Sequence, residues 1–93
     1  MKASSWIFYV LCCNDDTFYA GVTTDIYRRL FEHNTSSRGA KYTKSRRPVK
    51  LIYGEYFQSR SLAQKAEHKF KSLTRRQKEY IVNGAHNEYS MEN

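Results

Sequence analysis

Two extended runs separated by three turn-forming residues constrain this chain more than any other feature. Trp6-Ile7-Phe8-Tyr9-Val10-Leu11-Cys12 and Thr17-Phe18-Tyr19-Ala20-Gly21-Val22-Thr23 flank Asn14-Asp15-Asp16. Aromatic and β-branched side chains suit a pleated, half-buried surface, and Asn and Asp suit the reversal between two strands. The pattern predicts a β-hairpin. A reversal centred on Asn14 sets Tyr9 opposite Tyr19, with both rings on one face because alternate strand residues share a face. A slip of one residue would send them to opposite faces.

The rest of the chain predicts one small domain over 1–84 and a polar tail over 85–93. A helix over about 25–34 is capped by Thr24 or Asp25, with Ile26, Leu30, Tyr27 and Phe31 as its apolar side. Arg29 and His33 are four apart and share one face of it. Residues 34–48 carry neither helical nor strand periodicity and read as a long loop closed by Pro48. Val49 to Phe57 is a third strand, with Leu51, Tyr53 and Phe57 on one face. Ser61-Leu62-Ala63-Gln64 has the form of a capping box and opens a helix whose Leu62, Ala66, Phe70 and Leu73 recur at helical spacing. Thr74-Arg75-Arg76-Gln77 repeats the box and starts a short helix to about Val82, with Gly84 as its stop.

Charge narrows the partners. The chain holds 16 Lys+Arg against 9 Asp+Glu, a formal +7, and a folded domain this basic concentrates anionic partners around itself. The excess is clustered. Residues 28–50 hold eight basic side chains against the single acid Glu32, and residues 60–78 hold seven against Glu67. In the loop, Lys41, Lys44, Arg46 and Arg47 surround Tyr42, a combination that tracks phosphates with cations and stacks a ring on a base or sugar. No apolar run approaches the roughly 20 residues of a membrane span, and the loop lacks the apolar face of an interfacial helix. The apolar stretch near the start reads as a strand rather than a secretory leader. Adjacent Cys12 and Cys13 cannot staple distant segments and no Cys/His cluster has zinc spacing, so reduced thiols and a cytoplasmic setting are expected.

Glu67 is the informative acid. A carboxylate beside a phosphate-binding surface repels the substrate unless it holds a divalent cation, and Mg²⁺ favours one or two carboxylates with waters and phosphate oxygens. An ion pair with Lys71 or Lys65 is the plain alternative.

Phe8-Tyr9-Val10 followed by Tyr19-Ala20-Gly21 resembles the paired signature of the GIY-YIG nuclease domain. The resemblance runs on through Thr23 to Asn34, Gly39-Ala40-Lys41-Tyr42-Thr43, Arg46-Arg47-Pro48-Val49, Ala66-Glu67 and Lys71-Ser72-Leu73-Thr74, about residues 6–82 in all. It looks closest to the small stand-alone bacterial members and is similar to nucleases that cut branched DNA. Phe8, Val10 and Ala20 depart from the signature around its tyrosines, and Val22 stands where some repair-type members carry a lysine.

The resemblance implies an α/β (α+β) fold, a small three-stranded antiparallel sheet flanked by three helices. It also implies a site. Glu67 matches the metal-binding glutamate for Mg²⁺ or Mn²⁺, Arg29 the arginine on the scissile phosphate, Tyr9 and Tyr19 the signature tyrosines, and His33 a position near the phosphate. In such a site Tyr19 is the candidate general base, its phenolate stabilised by nearby cations. Arg29 would donate two parallel hydrogen bonds to phosphate oxygens, Tyr9 would orient water or phosphate, and His33 would relay a proton. Gly21 would let the backbone approach the substrate. The expected function is metal-dependent hydrolysis of DNA, branched or single-stranded, with specificity from nucleic-acid shape or a partner protein. A non-catalytic nucleic-acid-binding module on the same basic face is the alternative, and a subunit docking an acidic protein is a third.

Overall fold

A computed structural model describes residues 5–84; the predicted tail over 85–93 lies outside the described residues. Three strands, β1 (Trp6–Cys12), β2 (Phe18–Thr23) and β3 (Lys50–Phe57), form an antiparallel sheet in the order β2-β1-β3. Helices α1 (Ile26–Thr35), α2 (Lys41–Lys44), α3 (Arg60–Lys71) and α4 (Arg75–Gly84) complete the described chain. The α/β fold and its antiparallel sheet stand as expected. Among the described residues there are four helices instead of three, because the supposed loop contains the single turn of α2. No described helix is long and apolar enough to cross a membrane.

The central strand explains the layering. β1 is buried along nearly its whole length, so its alternating side chains feed two cores. Ile7, Tyr9, Leu11 and Cys13 pack with Ile26 of α1 and with Val49. Phe8, Val10 and Ala20 pack with Phe70 of α3 and Val82 of α4. Phe8, Val10, Ala20 and Val22, the departures around the signature, thus belong to the second core.

The hairpin turn corrects the expected register. The Asp16 amide donates to the Cys13 carbonyl at 2.9 Å, Asp16 takes a left-handed φ of 69°, and the Cys13 amide donates to the Thr17 carbonyl at 2.8 Å. A type I turn followed by one left-handed residue is a standard three-residue hairpin loop, and Asp accepts that conformation. The reversal therefore centres on Asp15. Tyr9 pairs with Gly21 and Tyr19 with Leu11. The displacement is an even number of residues, so both tyrosines still share a face.

β3 departs in another way. Its pairing with β1 shifts between Val10 and Leu11, where Tyr53 and Leu51 are consecutive partners and Ile52 is extra. Such a bulge breaks the alternation. Leu51 consequently joins the α1 core while Tyr53 and Phe57 join the α3 core, and the three do not share a face.

Helix boundaries are set by caps. The Asp25 side chain accepts from the Arg28 amide at 3.1 Å and opens α1. The cap of α3 is Ser59, not Ser61; its hydroxyl accepts from the Leu62 amide at 3.2 Å. The Thr74–Gln77 box is reciprocal, with bonds of 2.9 and 3.1 Å. The apolar faces are narrower than expected. Tyr27 is 76% and Phe31 64% exposed, and Leu62 is exposed as well, while Ala63 takes the buried position on α3.

Candidate active site

Tyr9 is the centre of the first core and carries a hydroxyl that burial must satisfy. Its Oη lies 2.8 Å from His33 Nε2. On the other side of the imidazole, Nδ1 lies 3.0 Å from Thr43 Oγ1, and that hydroxyl donates to the Ala40 carbonyl at 2.9 Å. Because Thr43 spends its only hydrogen on Ala40, its oxygen accepts from Nδ1–H, which leaves Nε2 to accept from Tyr9 O–H. The Ala40 amide, 3.4 Å from Nδ1, is at the limit of hydrogen bonding and does not reverse this order. The chain Tyr9–His33–Thr43 thus runs from sheet to α1 to α2 and ends on a backbone carbonyl.

Burial, then the Arg29 charge, holds the His33 imidazole down to about 4, so it is neutral at pH 7. The Tyr9 phenol is pushed well above its ordinary value, first by burial and then by proximity to Tyr19. Arg29 opposes that rise by hydrogen bonding and charge, while the Glu67 carboxylate adds to it. Tyr9 is therefore protonated; His33 bonds to its hydroxyl, and the charges of Arg29 and Glu67 both act on it.

Each is held differently. Arg29 Nη1 donates to Glu32 Oε1 at 2.9 Å and to the Arg38 carbonyl at 2.8 Å. Glu32, the lone acid of the first basic stretch, is thereby the clamp that aims the guanidinium. Tyr19 stands edge-on to His33 with ring centroids 5.2 Å apart and stacks on Tyr42 at 6.0 Å. The Glu67 side chain is 17% exposed, and its Oε2 lies 2.7 Å from Lys71 Nζ. The ion pair offered as the plain alternative for Glu67 is present.

The basic loop divides into separate uses. Lys41 and Lys44 are exposed on α2. The Arg46 guanidinium lies 3.8 Å from the centre of the Tyr42 ring and donates from Nε to Asp15 Oδ2 at 2.9 Å. It ties the loop to the hairpin turn, as does the 2.9 Å bond from the Asn14 amide to the Arg46 carbonyl. Arg47 turns inward and donates to the carbonyls of His33 and Ser36, each at 2.6 Å, and of Glu32 at 3.3 Å. They lie at the C-terminus of α1, where the Glu32 and Ser36 carbonyls also accept from the Ser36 and Gly39 amides, at 3.0 and 3.1 Å.

Two residues escaped attention in the sequence. Thr43 fixes the imidazole, and only its place in Gly39-Ala40-Lys41-Tyr42-Thr43 hints at a role. Gly39 packs so closely on α1 that an added Cβ would stand 2.6 Å from the Glu32 carbonyl oxygen.

The residues fit a divalent cation in one respect, a single shielded carboxylate in cationic surroundings, which suits a metal completed by waters and phosphate oxygens. Among the described residues no group of three or more His, Cys, Asp or Glu gathers to hold a metal.

Comparison with known proteins bears on the same stretch. The family model described as the GIY-YIG catalytic domain matches residues 5–80. A UPF0213 protein of Listeria welshimeri is 55% identical over 82 residues, covering 87% of this chain and 90% of the relative. One of Bacillus velezensis is 49% identical over 82 residues, covering 88% and 82%. The solution NMR structure of a protein from E. faecalis is similar with a TM-score of 0.59 at 46% identity, covering 95% of this chain and 96% of that one. The NMR structure of a UPF0213 protein from Bacillus halodurans gives 0.55 at 41% identity, covering 84% and 82%. The match spans nearly all the described residues, and the chain belongs to the GIY-YIG family, with UPF0213 proteins as its relatives.

Proposed function

We propose that the protein is a divalent-metal-dependent nuclease that hydrolyses phosphodiester bonds in DNA. The observation that supports this reading is the packing of Tyr9 and Tyr19 on the His33 ring, with the charges of Arg29 and Glu67 both acting on the Tyr9 hydroxyl. Hydrolysis needs a deprotonated water, charge neutralisation at phosphorus and an attack held in line. Tyr19 takes the proton from the attacking water. Arg29, aimed by Glu32, donates to phosphate oxygens, with a forked geometry that Lys lacks. Tyr9 keeps its proton and donates it in a hydrogen bond to the neutral His33, which leaves its hydroxyl oxygen to accept from and orient water. Glu67 would hold Mg²⁺ or Mn²⁺, which when bound supplies Lewis-acid neutralisation of the phosphate and the departing oxygen. Lys41, Tyr42, Lys44, Arg46 and Arg47 form the basic loop beside this site, the first four presenting the groups that meet nucleic acid. A cytoplasmic setting accords with two free, adjacent cysteines.

One observation favours the non-catalytic alternative: Lys71 already pairs with the Glu67 carboxylate. Cleavage of duplex, flap and single-stranded DNA with Mg²⁺ or Mn²⁺ separates the readings. The nuclease cuts, and Arg29→Ala and Glu67→Ala each abolish cutting. Undiminished cleavage by both variants, or none by the native chain, ends the proposal.

A further inference from the structure

One face of α3 carries a row of polar side chains that passes through Glu67. Arg60, Gln64, Glu67 and Lys71 recur at intervals of four, three and four residues, which stacks them along the helix. Ala63 and Phe70, on the adjoining face, are buried, and α3 packs on β2 and β1. Glu67 marks the middle of the row, since its carboxylate acts on the Tyr9 hydroxyl. Lys71 marks one end, bordering Tyr19 and Tyr42. Arg60 marks the other, its guanidinium 5.4 Å from the centre of the Trp6 ring. The cations of this region are not used alike. Lys71 is paired with Glu67, and Arg75 on α4 with Glu79 and Asp16. Arg60 is in no ion pair among the described residues, and the fold braces it with a ring instead of an acid. A guanidinium over a ring keeps its full charge and leaves the N–H groups of its edge free for an anion.

We propose that Arg60 binds a backbone phosphate about three nucleotides from the phosphate that is cut, on the side away from the α2 loop. The distance follows from the helix. Arg60 and Glu67 are seven residues apart, about 10 Å at roughly 1.5 Å per residue. One DNA strand advances roughly 3.4 Å per nucleotide, so that length spans about three of them. The side follows from the ends of the row, because Lys71 borders Tyr42 of α2 and Arg60 stands at the opposite end. Lys41 and Lys44 then hold the strand on one flank of Glu67 and Arg60 holds it on the other. A strand fixed on both flanks keeps the intervening phosphate aligned for in-line attack. This inference rests on the nuclease reading for the position of the cut, and on the α3 row alone for the phosphate contact.

The test uses the whole protein. Binding of a fluorescein-labelled DNA duplex is followed in EDTA across a range of salt, so that no turnover is needed. Arg60→Ala should weaken binding roughly 3- to 10-fold and flatten the salt slope by about one unit, the signature of one lost phosphate contact. Arg60→Lys should keep the slope. Lys65→Gln, which removes an exposed charge from the outer face of the same helix, should bind as the native chain does. With Mn²⁺, Arg60→Ala should raise KM by the factor lost in binding, with kcat nearly unaltered. Shortening the DNA to about two nucleotides on one side of the cut should abolish the difference between native and Arg60→Ala, and shortening the other side should preserve it. Circular dichroism melting confirms that the variants fold. An unchanged slope in Arg60→Ala, an equal loss in Lys65→Gln, or a difference that survives shortening of either side overturns the inference. If the slope flattens as expected and no DNA is cut, the nuclease reading fails while the phosphate contact stands. If Arg60→Ala cuts DNA with the native KM, the nuclease stands and the contact falls.

Discussion

The hydroxyl of Tyr9 occupies the space that a side chain on Gly21 would need. The two are cross-strand partners, and a Cβ built on Gly21 would stand 2.6 Å from Tyr9 Oη and 2.8 Å from its Cζ. The glycine expected to admit substrate instead admits the ring. Tyr9 is 1% exposed and tied to His33, so it cannot swing aside cheaply. Gly21→Ala should cost about 1–3 kcal/mol of stability through overpacking, read by urea denaturation, and should reduce cleavage more than the lost folded fraction explains. A variant as stable and as active as the native chain would contradict this geometry.

His33 predicts a pH dependence of stability. Its folded value of about 4 is below the ordinary 6.5, so between those limits the unfolded chain binds more protons. The contribution is complete above pH 6.5 and is lost as pH falls toward 4, on the order of 3 kcal/mol in all. Unfolding midpoints measured from pH 4 to 8 should fall on the acid side, and His33→Gln should flatten that slope.

Arg29→Lys keeps the charge and loses the fork. A cleavage rate reduced by roughly 10- to 100-fold is expected, as an interaction confined to the transition state disappears. Thermal melting should move little, because the remaining bonds to Glu32 and Arg38 are partly exposed. A native rate in the Lys variant would remove Arg29 from the phosphate.

Lys71 competes with metal for Glu67. Lys71→Met should tighten Mn²⁺ binding about two- to fivefold, a modest effect because the lysine is half exposed and its pair is worth only roughly 0.2–1 kcal/mol. Titration calorimetry on the native, Lys71→Met and Glu67→Gln proteins measures it, and the last should bind no Mn²⁺ at this site.

Arg47 is predicted to act on stability. Removing its side chain takes the donor from the His33 carbonyl, while the Glu32 and Ser36 carbonyls keep the amides of Ser36 and Gly39, and Arg47→Ala should cost about 1–3 kcal/mol. Nucleic-acid affinity of the folded variant should keep its salt dependence. A shallower slope by about one unit with unchanged stability would assign Arg47 to a phosphate instead.

Local signals were legible in the residues themselves. The alternating aromatic and β-branched runs specify the strands, Asp25 and the Thr74–Gln77 box specify two helix starts, and the lone acids Glu32 and Glu67 stand out against their basic stretches. Each depends on neighbours within a few positions, where propensity and capping act. The spacing of Tyr9, Tyr19, Arg29, His33 and Glu67 likewise points to one family.

Tertiary structure decided the rest. A left-handed Asp16 moved the hairpin centre to Asp15, and the extra Ile52 parted Leu51 from Tyr53. Tyr27 and Phe31 sit on an α1 face that, among the described residues, no other element covers enough to bury, while Arg46 and Arg47, adjacent in the loop, go to a tyrosine ring and to helix carbonyls. Thr43 gained its meaning only when α2 was set against His33. Backbone handedness at one turn residue and contacts between distant elements are energies that no short window of residues contains, which is why the chain alone determined the parts and the folded packing determined their use.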